Sequence, residues 1–287
     1  MADTAITARP ASAARRRRKR NTGTNVAALL IAAFVALPLY WMVAASFKGQ
    51  ADITSASAIP PHPTTANYTN AFSSYAFGTY IENSAIVAVA TTLLVLALGI
   101  FAGYALARLP MRGKTAIMTA LLMISLFPTI AVVAPLYLLL RDIGWLNSYQ
   151  GLVLSYTALM LPFAIWILRN FFLTIPKAME ESARVDGAGP FRTVLQVILP
   201  QALPGVFTAG VFTFVAAWTE FIISLTVNNS DRYRTIGVGI ALFGGQFTTP
   251  YGTIFAASAV AMLPIAILVL VFRRAVVSGL TAGAVKG

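Results

Sequence analysis

The amino-acid sequence predicts an all-α polytopic membrane protein with six transmembrane helices and a cytoplasmic helix-turn-helix. Composition gives the first reason. Hydrophobic residues make up 58% of the 287 and charged residues only 10%, against about 25% charged in soluble domains. The second reason is the distribution of charge. Asn21 to Phe47, Asn83 to Ala107, Thr115 to Leu140, Ile143 to Leu168 and Thr193 to Thr219 each run for 25 residues or more without Asp, Glu, Lys or Arg. About 20 apolar residues suffice to cross a bilayer. The third reason is asymmetry: alternating spans place 17 of the 21 Lys and Arg on one side, the positive-inside pattern of cytoplasmic loops.

With polar ends trimmed, the spans fall at 25–47, 84–106, 116–139, 152–173, 205–226 and 252–272. A basic tail at 1–24 precedes the first. Its run RRRRKR (Arg15 to Arg20) has the composition of a nucleic-acid patch. Directly before an apolar span it reads instead as an orientation signal, and no nucleic-acid partner is expected. The apolar stretch that follows exceeds the core of a secretory signal, so the segment is expected to remain as an anchor. Both termini are then cytoplasmic. An external loop occupies 48–79, the core of the bundle runs over 80–273, and a second cytoplasmic tail covers 274–287. The outer connections are 48–83, 140–151 and 227–251; the inner ones are 107–115 and 174–204.

The second span contains Gly99 and Gly103, a GxxxG that allows close helix approach. Prolines at 38, 128, 135, 162 and 264 lie inside spans, where neighbouring helices can satisfy the freed backbone groups. The fifth span carries Glu220 in AAWTEFIISL, the one ionisable residue well inside an apolar run. Carboxylates at that depth face a bundle interior or a wet cavity. A ligand or gate contact and an interhelical hydrogen bond both fit.

Catalysis has almost no candidates. The chain has no cysteine and one histidine, His62, in the Pro-rich IPPHPTT, so no metal centre is expected. RGKT (Arg112 to Thr115) resembles the end of a phosphate-binding loop, but the position needing the earlier glycine is Arg108. No HExxH and no paired carboxylates within a span occur. These residues describe a conduit, or one subunit of a machine whose chemistry lies elsewhere. A proton-coupled transporter would need further titratable groups at membrane depth. A non-transporting scaffold subunit also fits the spans, but leaves the inner connection at 174–204 without a role.

That connection, MEESARVDGAGPFRTVLQVILPQALPG from Met179 to Gly205, mixes charge, small residues and proline. Pro176 suits a first helical position. Glu180 and Glu181 then stand near the start of a short helix, where the dipole favours them. Asp186, Gly187 and Gly189 supply a turn. Pro190 opens a second helix, expected to end at Pro200. The small residues would let another protein approach closely.

At these residues the chain resembles the membrane-spanning permease subunits of bacterial ABC importers, in the sugar-importing group typified by MalG. The family hallmark is E-A-A, three residues, G, nine residues, I, one residue, L-P. Here it reads Glu181-Ser182-Ala183, Gly187, Val197 and Leu199-Pro200, with Ser182 and Val197 as departures. YIENSAIVA (Tyr80 to Ala88), GYALARLPMRGK (Gly103 to Lys114), LPFAIWILRNFF (Leu161 to Phe172) and the terminal GLTAGAVKG (Gly279 to Gly287) are similar to further family segments, in order along the chain. WTEF (Trp218 to Phe221) stands where the group usually has W-N-E/D-F.

The resemblance implies a subunit that translocates a di- or oligosaccharide and binds no cofactor itself. ATP and Mg are held by two copies of a partner ATPase. A second permease subunit of different sequence, an external substrate-binding protein and membrane lipid complete the expected partners, in a bacterial inner membrane. The resemblance makes Glu180, Glu181, Ser182, Ala183, Asp186, Gly187 and Arg192 the ATPase-docking loop. Aromatic faces and hydrogen-bonding groups suit a sugar path, which makes Asn83, Tyr137, Trp166, Trp218 and Glu220 its candidates.

Overall fold

The structure is a computed structural model that describes residues 11–245 and 248–282, with side chains over 23–245 and 248–273. Expectations for the far end of the N-terminal tail, residues 1–10, and for the last residues of GLTAGAVKG, 283–287, lie outside the described residues. The charge-free runs become helices, as their composition requires, because a backbone in lipid must satisfy its own hydrogen bonds. The order is α1 (Ala11–Ser46), α2 (Ala66–Ser73), α3 (Phe77–Arg108), α4 (Lys114–Ser125), α5 (Thr129–Asp142), α6 (Tyr149–Thr174) and α7 (Ala178–Val185). Then come α8 (Pro190–Gln201), α9 (Leu203–Thr219), α10 (Ile222–Val227), α11 (Ile236–Ala241) and α12 (Tyr251–Ala282).

Among the described residues four helices are long and apolar enough to cross a membrane: Gly23–Ser46 within α1, α3, α6 and Tyr251–Arg273 within α12. The expected span at 116–139 is instead a pair, α4 and α5, bent by 90°. Pro128 is the cause. It sits in extended conformation at φ −65° and ψ 125°, and a proline disfavours helix in the residue before it. The other four prolines lie inside helices without ending them.

The expected span at 205–226 also breaks. Helix α9 stops at Thr219, and Glu220 turns extended at ψ 131°. Its carboxylate then accepts from the Ile223 amide at 2.9 Å and the Ser224 amide at 3.2 Å, starting α10. An apolar run conceals such a break; the carboxylate that caps the next helix makes it.

Two large cores stack along α3 and α6, beside a small one of Leu106, Met118 and Ile165. One holds Phe77, Tyr80, Val87, Leu152, Tyr156 and Trp218. The other, nearer the 174–204 hairpin, holds Val95, Leu168, Phe172, Ile198 and Ala209. Between helices in lipid, close packing replaces the hydrophobic drive. A Cβ on Gly103 would stand 3.1 Å from the Arg169 amide nitrogen and 3.1 Å from Leu168 Cβ. That glycine sets how near α3 lies to α6. Helix α1 stands apart: the most apolar stretch of its span is not buried by the rest of the chain, and it packs against α12. Its far end is fastened by Asn67, whose Nδ2 donates to the Ser46 and Lys48 carbonyls at 2.8 Å each.

Candidate functional site

The hairpin is built as a rigid turn. Helix α7 ends with Asp186 as its cap and Gly187 at φ 76°. The Ala188 amide donates to the Ala183 carbonyl at 2.9 Å, and the Gly187 amide to the Arg184 carbonyl at 3.0 Å. This pair of bonds is the Schellman arrangement, which needs a residue in left-handed conformation at Gly187's place. The small residue and the glycine of the sequence motif are thus partners in one turn. Gly189, by contrast, is at φ −69° and only leads into α8.

Two boundaries differ from expectation. Helix α7 begins at Ala178: the Lys177 carbonyl accepts from the Glu180 and Glu181 amides at 2.9 and 3.1 Å, whereas the Pro176 carbonyl takes only the Met179 amide at 3.3 Å. Helix α8 does not end at Pro200. It continues through Gln201 with a π-helical stretch over Thr193–Ile198, in which the Leu199 amide reaches back to the Val194 carbonyl. Proline has no amide to donate and its ring collides with the carbonyl four residues back; widening the turn accommodates it.

The seven docking-loop residues divide by exposure. Glu181, Ser182, Asp186, Gly187 and Arg192 are exposed. Val185 and Phe191 flank them with 87% and 72% exposure, so the apex presents charge and bare apolar surface together. Ala183 and Glu180 are buried. Glu180 Oε1 stands 2.7 Å from Arg108 Nε, with both side chains 5% exposed. The contact is one of charges, since the N–H is not aimed for a hydrogen bond. Tyr104 donates to Glu180 Oε2 at 3.3 Å, and Arg184 approaches the same oxygen at 3.8 Å. Arg108 also donates to the Ile175 carbonyl. A cleft of about 320 Å³ opens beside this group, lined by Arg108, Glu180, Arg184, Pro190 and Thr193. The sequence shows Arg108 as a loop charge and as the residue that breaks the phosphate-loop pattern; nothing short of the fold shows that it is buried against α7.

The five path candidates differ in exposure and partners. Asn83 is buried, donating to the Arg232 and Arg234 carbonyls at 3.0 and 2.9 Å and accepting from Tyr149 at 2.7 Å. Trp218 is buried, and its indole donates to the Ala261 carbonyl at 3.1 Å. Tyr137, Trp166 and Glu220 are half-buried, with Trp166 stacked on Phe163. Among the described residues no cluster of His, Asp or Glu has the arrangement of a metal site.

Residues 95–281 match the family described as the binding-protein-dependent transport system inner membrane component. The chain belongs to that family. Such permease subunits are membrane components, and ATP hydrolysis resides in separate subunits of the importer. Among curated relatives, the permease is 39% identical to the sulfoquinovosyl glycerol transport system permease SmoH of Agrobacterium fabrum, over 87% of this chain and 88% of that one. It is 36% identical to the trehalose/maltose transport system permease MalG of Thermococcus litoralis, over 91% and 95%. It is 37% identical to the trehalose transport system permease SugB of Mycobacterium tuberculosis, over 94% and 99%. Among solved structures, the permease fold is shared with a bacterial ABC transporter that imports alginate, at a TM-score of 0.77 and 19% identity, over 94% of this chain and 99% of that one.

Proposed function

We propose that this permease carries a di- or oligosaccharide through an ATP-driven importer, with the 174–204 hairpin as the seat of the ATPase. The observation that carries this reading is the hairpin itself. Its Schellman turn fixes an exposed apex of Glu181, Ser182, Asp186, Gly187 and Arg192 at one end of a bundle. The relatives named for trehalose, maltose and sulfoquinovosyl glycerol support a glycosidic substrate. The excess of Lys and Arg on the hairpin side supports a cytoplasmic hairpin with both termini on that side. An external binding protein delivers the sugar to the opposite face.

A second permease chain of different sequence completes the path. The elbow between α4 and α5 favours it: Leu126 is 83% and Phe127 62% exposed there. Irregular backbone at membrane depth is tolerated where protein or a water-filled cavity covers it. Tyr137, Trp166 and Glu220 keep exposed surface for the sugar, while Asn83 and Trp218 act by holding the outer loop and α12.

Co-expression with the cognate ATPase, second permease and binding protein tests the reading. Proteoliposomes are expected to take up labelled disaccharide only with ATP and binding protein present. Uptake driven by a proton gradient without ATP would overturn it.

A further inference from the structure

Helix α3 is fastened at both ends by polar contacts of its own buried side chains, those of Tyr80, Asn83, Ser84 and Arg108. At the hairpin end Arg108, its last residue, pairs with Glu180 of α7 and holds the Ile175 carbonyl. At the other end Tyr80 donates to Asp231 at 2.8 Å, Asn83 donates to two loop carbonyls, and Ser84 Oγ accepts from the Ile236 amide at 2.8 Å. The loop at 228–236 therefore hangs from α3 by its own backbone. From Tyr80 to Arg108, the outermost residues of the two joints, α3 is a rod of about 42 Å at 1.5 Å per residue. Gly103 lets it bed on α6.

The covalent routes out of the hairpin are less direct. Ile175 leaves α6 in extended conformation, and α8 meets α9 at an 82° bend. Rotation at such links can dissipate a displacement. A buried ion pair cannot be loosened without stranding a charge, so it transmits one.

We propose that α3 is the strut that moves the 228–236 loop in step with the hairpin. Arg108 with Glu180 forms its lower joint, and Tyr80, Asn83 and Ser84 form its upper one. These are positioning residues. Coupling of this kind requires one element whose state both ends bias. The inference rests on the ATP-driven reading above, and its test separates the two.

The chain has no cysteine, so one introduced thiol reports from one place. Val185→Cys reads the hairpin and Asn229→Cys the outer loop; both positions are exposed. In the assembled importer, ATP with vanadate is expected to change spin-label mobility at both. Arg108→Glu, and Glu180→Gln, which keeps the side chain's size, are expected to abolish the change at 229 while the response at 185 persists. The swap Arg108→Glu/Glu180→Arg restores it. Asn83→Ala also loses the signal at 229 and keeps that at 185. A full response at 229 in Glu180→Gln, or a swap that restores nothing, overturns the strut. A response at 185 with none at 229 in the unaltered joints overturns the strut alone. No ATP response at 185 and no ATPase retained overturns the ATP-driven reading.

Discussion

Replacing Gly187 separates the turn from the partner it is proposed to meet. The residue sits at φ 76°, and a Cβ built there meets no atom within 4 Å. An alanine is therefore penalised by backbone alone, by about 1–2 kcal/mol for a left-handed L-residue. That strain is present whether or not a partner is bound, so it lowers the stability of the permease and leaves ATPase affinity near its original value. Arginine carries the same backbone strain and projects from the open apex into any docked surface. Overpacking costs about 1–3 kcal/mol, which corresponds to roughly 5- to 150-fold in affinity. Thermal unfolding in detergent, followed by tryptophan fluorescence, measures the first quantity. Titration of the ATPase onto the immobilised permease measures the second. Gly187→Ala and Gly187→Arg should unfold alike, and only the arginine variant should lose ATPase and ATP-driven uptake. Equal ATPase binding by the two variants would refute the apex as a docking surface.

Glu180→Ala leaves Arg108 buried without its carboxylate and should destabilise the isolated permease by about 3–5 kcal/mol, read from the same unfolding assay. Gly103→Val places a branched side chain against the Arg169 backbone; a loss of about 1–3 kcal/mol and a lower yield of folded protein in detergent are expected. Glu220→Ala removes both acceptors at the start of α10. The Ile223 and Ser224 amides should then exchange hydrogen faster by the equivalent of about 0.5–2 kcal/mol, and Glu220→Gln should keep part of that protection.

Much of the fold was legible because lipid narrows the choice to helices, and charge-free runs mark where they lie. The hairpin was legible as well: Gly187 and Pro190 punctuate it by chemistry that acts on the nearest few residues. What escaped was set at longer range or by a side chain acting on backbone. Pro128 was visible as a proline, yet four others stay inside intact helices, so its 90° break could not be singled out. Glu220 was visible as a charge in an apolar run, but its role as a cap depends on a break that its apolar neighbours do not announce. Arg108 and Glu180 are 72 positions apart by their numbers, and neither carries a local sign of the other. For the same reason Asn83 and Trp218 were read as ligand-facing when their polar atoms are spoken for by distant carbonyls.

The wide coil before Pro200 preserves the azimuth of the apex. A π-helical stretch houses a residue beyond what ordinary α-helix would hold, and each residue of α-helix sweeps about 100°. Excising a single residue from Thr193–Ile198 would thus let the coil close to ordinary α-helix and leave Glu181, Asp186 and Gly187 near their present bearing around the axis of α8, whereas the same excision from an ordinary α-helical turn would swing them by about a quarter-turn. The wide coil is where the hairpin can gain or lose a residue and still aim the same surface.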